Sequence, residues 1–146
     1  MSNFTAQNDL AKIDLREYVK QLSEHLIKSY GRDNAVKVTV NSQVYRVHLD
    51  TLIPLGLILN ELLSNAMKYA FEDQEGEVNV DLIHKDNNCN LIFSDNGIGY
   101  SKERFENDEN TLGLQLVKIL AEQMDGEINK LESKGAKYEL IFPFKV

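Results

Sequence analysis

At 146 residues and 16.7 kDa, with 42% apolar and 27% charged residues, the chain fits one globular domain that can bury its own core. Sixteen basic against twenty-three acidic residues leave a net charge of −7, which excludes a broad cationic grip on nucleic acid or on an anionic membrane. The single cysteine, Cys89, excludes an internal disulfide framework and fits a reducing compartment, and no apolar run reaches the roughly 18 residues of a membrane span.

Residues 1–12 are mixed and polar, without a signal-peptide core, and are expected to be disordered or an added leader, leaving 13–146 as one domain. From Asp14 the apolar residues Leu15, Tyr18, Val19, Leu22, Leu26 and Tyr30 recur at helical steps. Asp14 and Glu17 make a capping box, and Gly31 is a stop. Two alternating runs, 36–40 and 44–49, read as a hairpin. Residues 51–71 form an apolar helix with Pro54 in its first turn. Strands follow over 77–84 and 88–94, joined by the turn-rich Lys85-Asp-Asn-Asn88. After an irregular stretch, 100–110, comes a helix over 112–124 with Gly126 as its stop, then strands over 127–132 and 136–142. The order α-β-β-α-β-β-α-β-β predicts an α+β two-layer sandwich: one mixed sheet with about three helices on one face, without the βαβ rhythm of a doubly wound fold.

Three places could carry chemistry. On the second helix, Glu61, Ser64, Asn65 and Lys68 are spaced by three and four, which puts them in one polar stripe about 100° wide. Such a stripe is ordinarily a solvated face. This one is narrow, flanked by bulky apolar residues, and mixes a carboxylate, an amide and an ammonium, as a phosphate–metal site would. Next, the apolar strand Leu91-Ile-Phe-Ser ends in Asp95-Asn-Gly97-Ile-Gly99. The string reads either as an Asp-Asn-Gly turn or as an aspartate aimed at an exocyclic amine, with glycines letting a ligand approach the backbone. Third, Thr111-Leu-Gly113-Leu starts a helix, whose free N–H groups suit phosphates, although a glycine there is common in itself.

Other chemistries lack their patterns. There is no P-loop, no G-x-G-x-x-G and no G-x-S-x-G elbow, and His25, His48 and His84 lie apart from any metal-ligand spacing.

Taken in this order, the three features resemble the catalytic, ATP-binding domain of sensor histidine kinases, within the Bergerat-fold ATPase superfamily that also holds Hsp90, the gyrase B subunit and MutL. Glu61-Leu-Leu-Ser-Asn65-Ala-Met-Lys-Tyr69 resembles the N box, Asp95-Asn-Gly-Ile-Gly99 the first glycine box, and Leu112-Gly-Leu-Gln-Leu-Val117 the second. The stretches 53–71, 13–18 and 138–143 are similar to the subgroup whose phosphoacceptor region reads H-R-V-K-N-N.

The resemblance implies ATP and Mg²⁺ as ligands. Asn65 would bind the metal, Glu61 would act as general base or position a water, and Lys68 would reach the phosphates. Tyr69 would lie beside the adenine, Asp95 would accept from its amino group, and Gly97, Ile98 and Gly99 would give the base room. Residues 100–110 would be the ATP lid, with Thr111, Leu112, Gly113 and Leu114 seating the phosphates. Departures from the family pattern are Thr111 where many relatives carry glycine, a short acidic lid without the usual aromatic box, and Ala136 where many have threonine. The lid composition predicts a loose lid and fast nucleotide exchange.

No H-R-V-K-N-N occurs, and His25 lacks groups to orient it, so the expected phosphoacceptor is a histidine on a separate dimerisation domain, in the same parent chain or in trans. The implied function is transfer of the ATP γ-phosphate to that histidine in two-component signalling, with a response regulator downstream. The implied location is cytoplasmic, with no nucleic acid partner and no direct membrane insertion of this domain, whether or not its parent is membrane-tethered. The alternatives are an anti-sigma-factor-type protein-serine kinase and a non-catalytic, nucleotide-sensing docking module.

Overall fold

The structure is a computed structural model that describes residues 12–43, 46–71, 74–97 and 112–144. In chain order it runs β1 (Lys12–Asp14), α1 (Leu15–Ser29), β2 (Val36–Ser42), β3 (Arg46–His48) and α2 (Leu49–Asn65). A π-helical turn (Ala66–Ala70) leads to β4 (Gly76–Lys85) and β5 (Asn88–Asp95), then α3 (Leu112–Gln123), β6 (Glu127–Lys130) and β7 (Lys137–Pro143).

Five strands form one mixed sheet in the order β2-β4-β5-β7-β6. Each central strand alternates buried and half-exposed residues, so one face is apolar. That face carries Val78, Val80, Leu82, Leu91, Phe93, Leu140 and Phe142, all nearly inaccessible, and α1, α2 and α3 cover it. The expected two-layer α+β sandwich is the fold observed.

Pairing departs from the sequence reading in one place. Residues 36–40 and 44–49 do not form a hairpin. β2 runs parallel to β4, with Val36 opposite Gly76 and Ser42 opposite Leu82, while β3 pairs antiparallel with β1. Alternation reveals which face a strand buries and says nothing about its partner. The β2–β4 link crosses over through α2, so the sheet holds one parallel crossover that the element order alone hid.

The helix ends explain their own positions. Asp14 caps α1 by accepting from Glu17 N–H (3.1 Å), but the Glu17 carboxylate turns away to Gln21 Nε2 (3.0 Å), so only half of the capping box forms. Gly31 (φ 68°) ends α1, with Arg32 N–H donating to Ile27 O and Gly31 N–H to Lys28 O, the paired bonds of a Schellman stop. At the end of α3 the left-handed residue is Asp125 (φ 56°), ahead of the expected Gly126. α2 starts at Leu49, earlier than expected, so Pro54 lies inside the helix and leaves the Asp50 carbonyl without its i+4 donor. Packing compensates: Leu55, Ile58, Leu59 and Leu63 are completely buried, and Gly56 lets the Tyr18 ring of α1 lie directly against α2.

Candidate nucleotide site

The last turns of α2 are buried on nearly every side. Leu59, Leu62, Leu63 and Ala66 are in the core, and the gap between them is filled by the half-buried Glu61, Ser64 and Asn65. The polar stripe therefore faces a partly closed space instead of open solvent. The helix then widens into the π-helical turn, on which Lys68 and Tyr69 are exposed, while Ala70 is buried. Single π turns recur at functional sites because the extra residue re-aims neighbouring side chains.

β5 delivers Asp95 at its C-terminal end, on the helix-covered face, with 5% of its surface accessible. Its Oδ1 accepts from Gly97 N–H (3.0 Å) and Ala136 N–H (3.2 Å), and its own N–H donates to Ala136 O (2.9 Å). Both backbone donors go to one oxygen, and among the described residues none donates to Oδ2, which is left as the acceptor for a ligand. The Gly97 bond is also the Asx turn of an ordinary Asp-Asn-Gly string, so the two readings of that string hold together. Asn96 secures the strand end: its Oδ1 accepts from Glu77 N–H (2.7 Å), and its N–H donates to Glu77 O (3.1 Å).

Electrostatics at Asp95 pull in opposite directions. Burial pushes its carboxyl up, and the Gly97 and Ala136 hydrogen bonds and the Lys130 ammonium pull it back down without cancelling the rise. For Lys130, burial lowers the ammonium and Asp95 raises it, again with burial the larger effect. The fold thus holds a charged pair at an energetic cost, a pattern that concentrates where charge is used.

Two glycines are fixed by close approach to this centre. A Cβ on Gly135 would strike the Asp95 carbonyl oxygen and lie 2.8 Å from Oδ1, and one on Gly97 would strike the Ala70 carbonyl. Gly113 meets the other end of the site. A Cβ there would lie 2.5 Å from Glu61 Oε2, so the Glu61 carboxylate rests against the first turn of α3. A carboxylate at a helix N-terminus is favoured by the aligned backbone dipoles.

The sequence-predicted residues thus form two separate groups of contacts, Asp95 with Gly97 and Gly97 with Ala70 at the end of the π turn, and Glu61 with Gly113 across α2 and α3, while Asn65, Lys68 and Tyr69 lie along the end of α2 and the π turn between them in sequence. Leu114 is buried and Leu112 is 82% exposed, so neither brings polar side-chain chemistry. Ile98, Gly99, Thr111 and the lid 100–110 lie outside the described residues. His25 is exposed on α1 beside a cleft of ≈ 600 Å³ against β2, built from other elements than the site.

Sequence reasoning missed Lys130 and Asn96. Lys130 had no signal, since Glu-Ile-Asn-Lys is an ordinary alternating strand. Asn96 was read as turn chemistry, and only its strand-to-strand bonds reveal the clamp.

A divalent ion fits the donors present only in a limited way. Glu61 and Asn65 offer one carboxylate and one amide oxygen, and among the described residues no three carboxylate, His or Cys groups cluster. That set suits Mg²⁺ held mostly by phosphate and water, and does not make a protein cage.

Residues 50–146 match the family described as histidine kinase-, DNA gyrase B-, and HSP90-like ATPase. Blue-light-activated histidine kinase 2 of Erythrobacter litoralis (strain HTCC2594) is 28% identical over 120 residues, covering 80% of this chain and 34% of the relative. Sensor histidine kinase ComP of Bacillus subtilis (strain 168) is 28% identical over 142 residues, 86% of this chain and 18% of ComP. The chain therefore spans about a third of one relative and less than a fifth of the other. Among solved structures, the histidine kinase domain of the Erythrobacter litoralis EL346 blue-light activated histidine kinase superposes with a TM-score of 0.78. It is 25% identical and covers 90% of this chain and 62% of that one. With the matched region extending from the start of α2 to the C-terminus, the chain belongs to the histidine kinase-, DNA gyrase B- and HSP90-like ATPase family, as a catalytic ATPase domain.

Proposed function

We propose that the domain binds Mg·ATP with the adenine amine on Asp95 Oδ2 and the triphosphate between the Glu61–Lys68 stripe and the first turn of α3, and passes the γ-phosphate to a histidine. The observation that carries this reading is Asp95: a buried carboxylate with one oxygen tied by two backbone N–H groups and the other left for a donor. An ionised carboxylate only accepts hydrogen bonds, so it takes the exocyclic amine of adenine and repels a carbonyl in the same place.

In this reading Asn65 and the phosphates hold Mg²⁺, which supplies charge neutralisation when bound. Lys68 adds a point charge on the phosphates, and Tyr69, with Gly97, Ile98 and Gly99, borders the base. Leu112, Gly113 and Leu114 would present backbone N–H groups to the phosphates at the start of α3. Glu61, against Gly113, orients the incoming nucleophile and accepts a proton from it. Positioning and charge stabilisation then supply most of the rate.

The acceptor histidine belongs to a phosphoacceptor and dimerisation domain, in the parent chain or in trans, with a response regulator receiving the phosphoryl group next. Apolar residues stand exposed on α2 (Leu49, Ile53, Leu57) and on α3 (Leu112, Leu116, Ile119). The α3 row begins beside the phosphate end, where an acceptor has to dock. Among the described residues no helix is long and apolar enough to cross a membrane. Dependence on ATP supports a cytoplasmic location for this domain, whose described residues begin at Lys12 in β1.

Calorimetry of ATP binding, with and without Mg²⁺, tests the site. Micromolar binding that is strengthened by Mg²⁺ is expected, and wild-type protein that ignores ATP overturns the reading in favour of a docking module. Labelled ATP offered with His-bearing and Ser-bearing acceptor domains then separates a histidine kinase from a serine kinase.

A further inference from the structure

β2 lies at one end of the sheet and pairs only with β4 among the described residues, so its other edge is open. The register decides which groups that edge presents. Ala35 O accepts from Gly76 N–H (2.9 Å) and Gln43 N–H donates to Leu82 O (2.8 Å), so the odd-numbered residues turn their peptide groups to β4. The even-numbered ones turn outward. Val36 N–H donates to Arg32 O (2.8 Å), whereas among the described residues nothing pairs with the N–H and C=O groups of Val38 and Val40.

α1 forms a wall beside this edge. It leads into β2 through the short segment 30–35 and folds back along it, leaving a cleft of ≈ 600 Å³ between the two. Lys20, Glu24 and Lys28 line the cleft from α1 at four-residue steps, about 6 Å apart. Alternate residues of a strand are about 6.6–6.8 Å apart, so a strand added to β2 would set successive helix-side side chains against Lys20, Glu24 and Lys28 in turn. Lys37 stands exposed on the other face of β2. Around the cleft Lys20, Lys28 and Lys37, with His25 beside them, outnumber Glu24 and Asp33, in a chain whose net charge is −7.

We propose that the open edge of β2 and the flank of α1 form a docking groove for an extended, acidic segment of a partner protein, which adds to the sheet as a further strand. Main-chain bonds to Val38 and Val40 hold the segment, and side chains select it. Two acidic residues four apart would meet Lys20 and Lys28, with a neutral residue between them opposite Glu24. The same lysines argue against a second copy of this chain as occupant, because two β2 edges paired about a two-fold axis would bring like charges together. The groove shares no residue with the nucleotide site, so this docking stands or falls apart from that reading.

The test is fluorescence anisotropy of a labelled synthetic peptide that carries two glutamates four residues apart in a threonine–valine background. Its controls are the same peptide with lysines for glutamates, and two glutamate peptides N-methylated on opposite sets of alternate amides. The proteins are wild type, the double variant Lys20→Glu with Lys28→Glu, and Val38→Pro, which removes an outward N–H and no bond to β4, each checked by its melting temperature. Wild type should bind the glutamate peptide at least about tenfold more tightly than the lysine peptide, and the charge-reversed variant should lose that preference. One N-methylated peptide should lose about tenfold in affinity while the other stays within about threefold, since only one set of amides faces β2. Val38→Pro should lose about tenfold as well, and the methylated pair decides the matter should this variant fold poorly. Equal losses for the two methylated peptides overturn strand addition, an unchanged preference in the charge-reversed variant overturns the lysine row, and wild type that ignores the glutamate peptide overturns the groove. A wild-type dimer in sedimentation that Val38→Pro breaks gives the edge to a second copy and overturns the peptide reading.

Discussion

At the Asp95 end of the site the main chain does the holding: Gly97 and Ala136 N–H groups grip one carboxylate oxygen, Asn96 ties β5 to β4, and Gly135 packs onto the Asp95 carbonyl. At the Glu61 end the work falls to half-exposed side chains on one helical stripe, Glu61, Ser64 and Asn65, with the Glu61 carboxylate resting against the N-terminus of α3. The base end is therefore set before any ligand arrives, at a cost in buried charge, while the phosphate end keeps side-chain freedom for a metal and a moving phosphoryl group. Substitutions at the first end should disturb folding and binding together or trade one against the other. Those at the second should disturb chemistry and spare the fold.

The largest effect is expected at Gly135. In Gly135→Ala the new methyl collides with the Asp95 main chain, which cannot rotate away, so overpacking should cost about 1–3 kcal/mol in urea unfolding and nucleotide affinity should be lost. A variant with wild-type stability and wild-type ADP binding would mean that β7 and β5 are not held as closely as their contacts require.

Asp95→Asn comes next, and here binding and stability should part. The amide still accepts the Gly97 and Ala136 N–H bonds through its oxygen, so the turn survives, while the nitrogen now offers a donor to adenine's own donor. ADP affinity should fall at least 100-fold, and the melting temperature should hold or rise because a buried charge is gone. The pH dependence follows from the same burial. The folded carboxyl titrates above its ordinary 3.8, so the folded state binds this proton more tightly than the unfolded chain does. Between 3.8 and the higher folded value, stability falls as pH rises; above both, the full cost of the charge is present, and below both it is absent. Relative to Asp95→Asn, wild type should thus gain stability on acidification through that window while losing ADP affinity. Denaturation and calorimetry across pH read both, and parallel curves for the two proteins would rule out burial as the cause.

How much of this could be read from residues alone differs between the two ends. The helical stripe was legible because 3.6-residue periodicity is a local property, and Glu61, Ser64 and Asn65 do share one half-buried face. Asp95 was legible as the polar end of an apolar strand followed by glycines. The grip on it was not, because Gly135 and Ala136 come from the segment that leads into β7 some forty residues later, and such long-range contact leaves no mark on either segment. The same blindness produced the false hairpin: β2 finds its partner in β4, forty residues on, and alternation in 36–40 fits either pairing. The π turn at Ala66–Ala70 also escaped, since a one-residue widening of a helix has no residue signature. Lys130 escaped for a related reason, as the aspartate it acts on lies two strands away in the sheet.

Asn65→Ala moves to the phosphate end. The amide is half-buried at the end of α2, and alanine is the better helix former, so stability should stay within about 0.5 kcal/mol. The strengthening of ATP binding by Mg²⁺ should disappear, leaving the weaker, metal-free affinity. Should Mg²⁺ still tighten binding, Glu61 and the phosphates hold the ion without Asn65, and the division of labour along the stripe shifts by one turn.

Gly113→Ala should leave stability level or raise it, and is the sharpest probe of Glu61. The added methyl would sit 2.5 Å from Glu61 Oε2, the far end of a flexible side chain, so the carboxylate can swing aside at little cost. Replacing glycine inside a helix with alanine gains up to about 1 kcal/mol, so the melting temperature should stay level or climb. ADP affinity, set largely at the Asp95 end, should remain within about threefold. Displacing the carboxylate by even 1 Å misplaces a group meant to orient the nucleophile, so phosphoryl transfer should drop by about tenfold to 100-fold. That split, with binding kept and transfer lost in a more stable protein, is what separates a catalytic carboxylate from one that merely caps α3. If transfer survives at full rate, Glu61 is the cap, and the proton acceptor has to be sought on the acceptor domain.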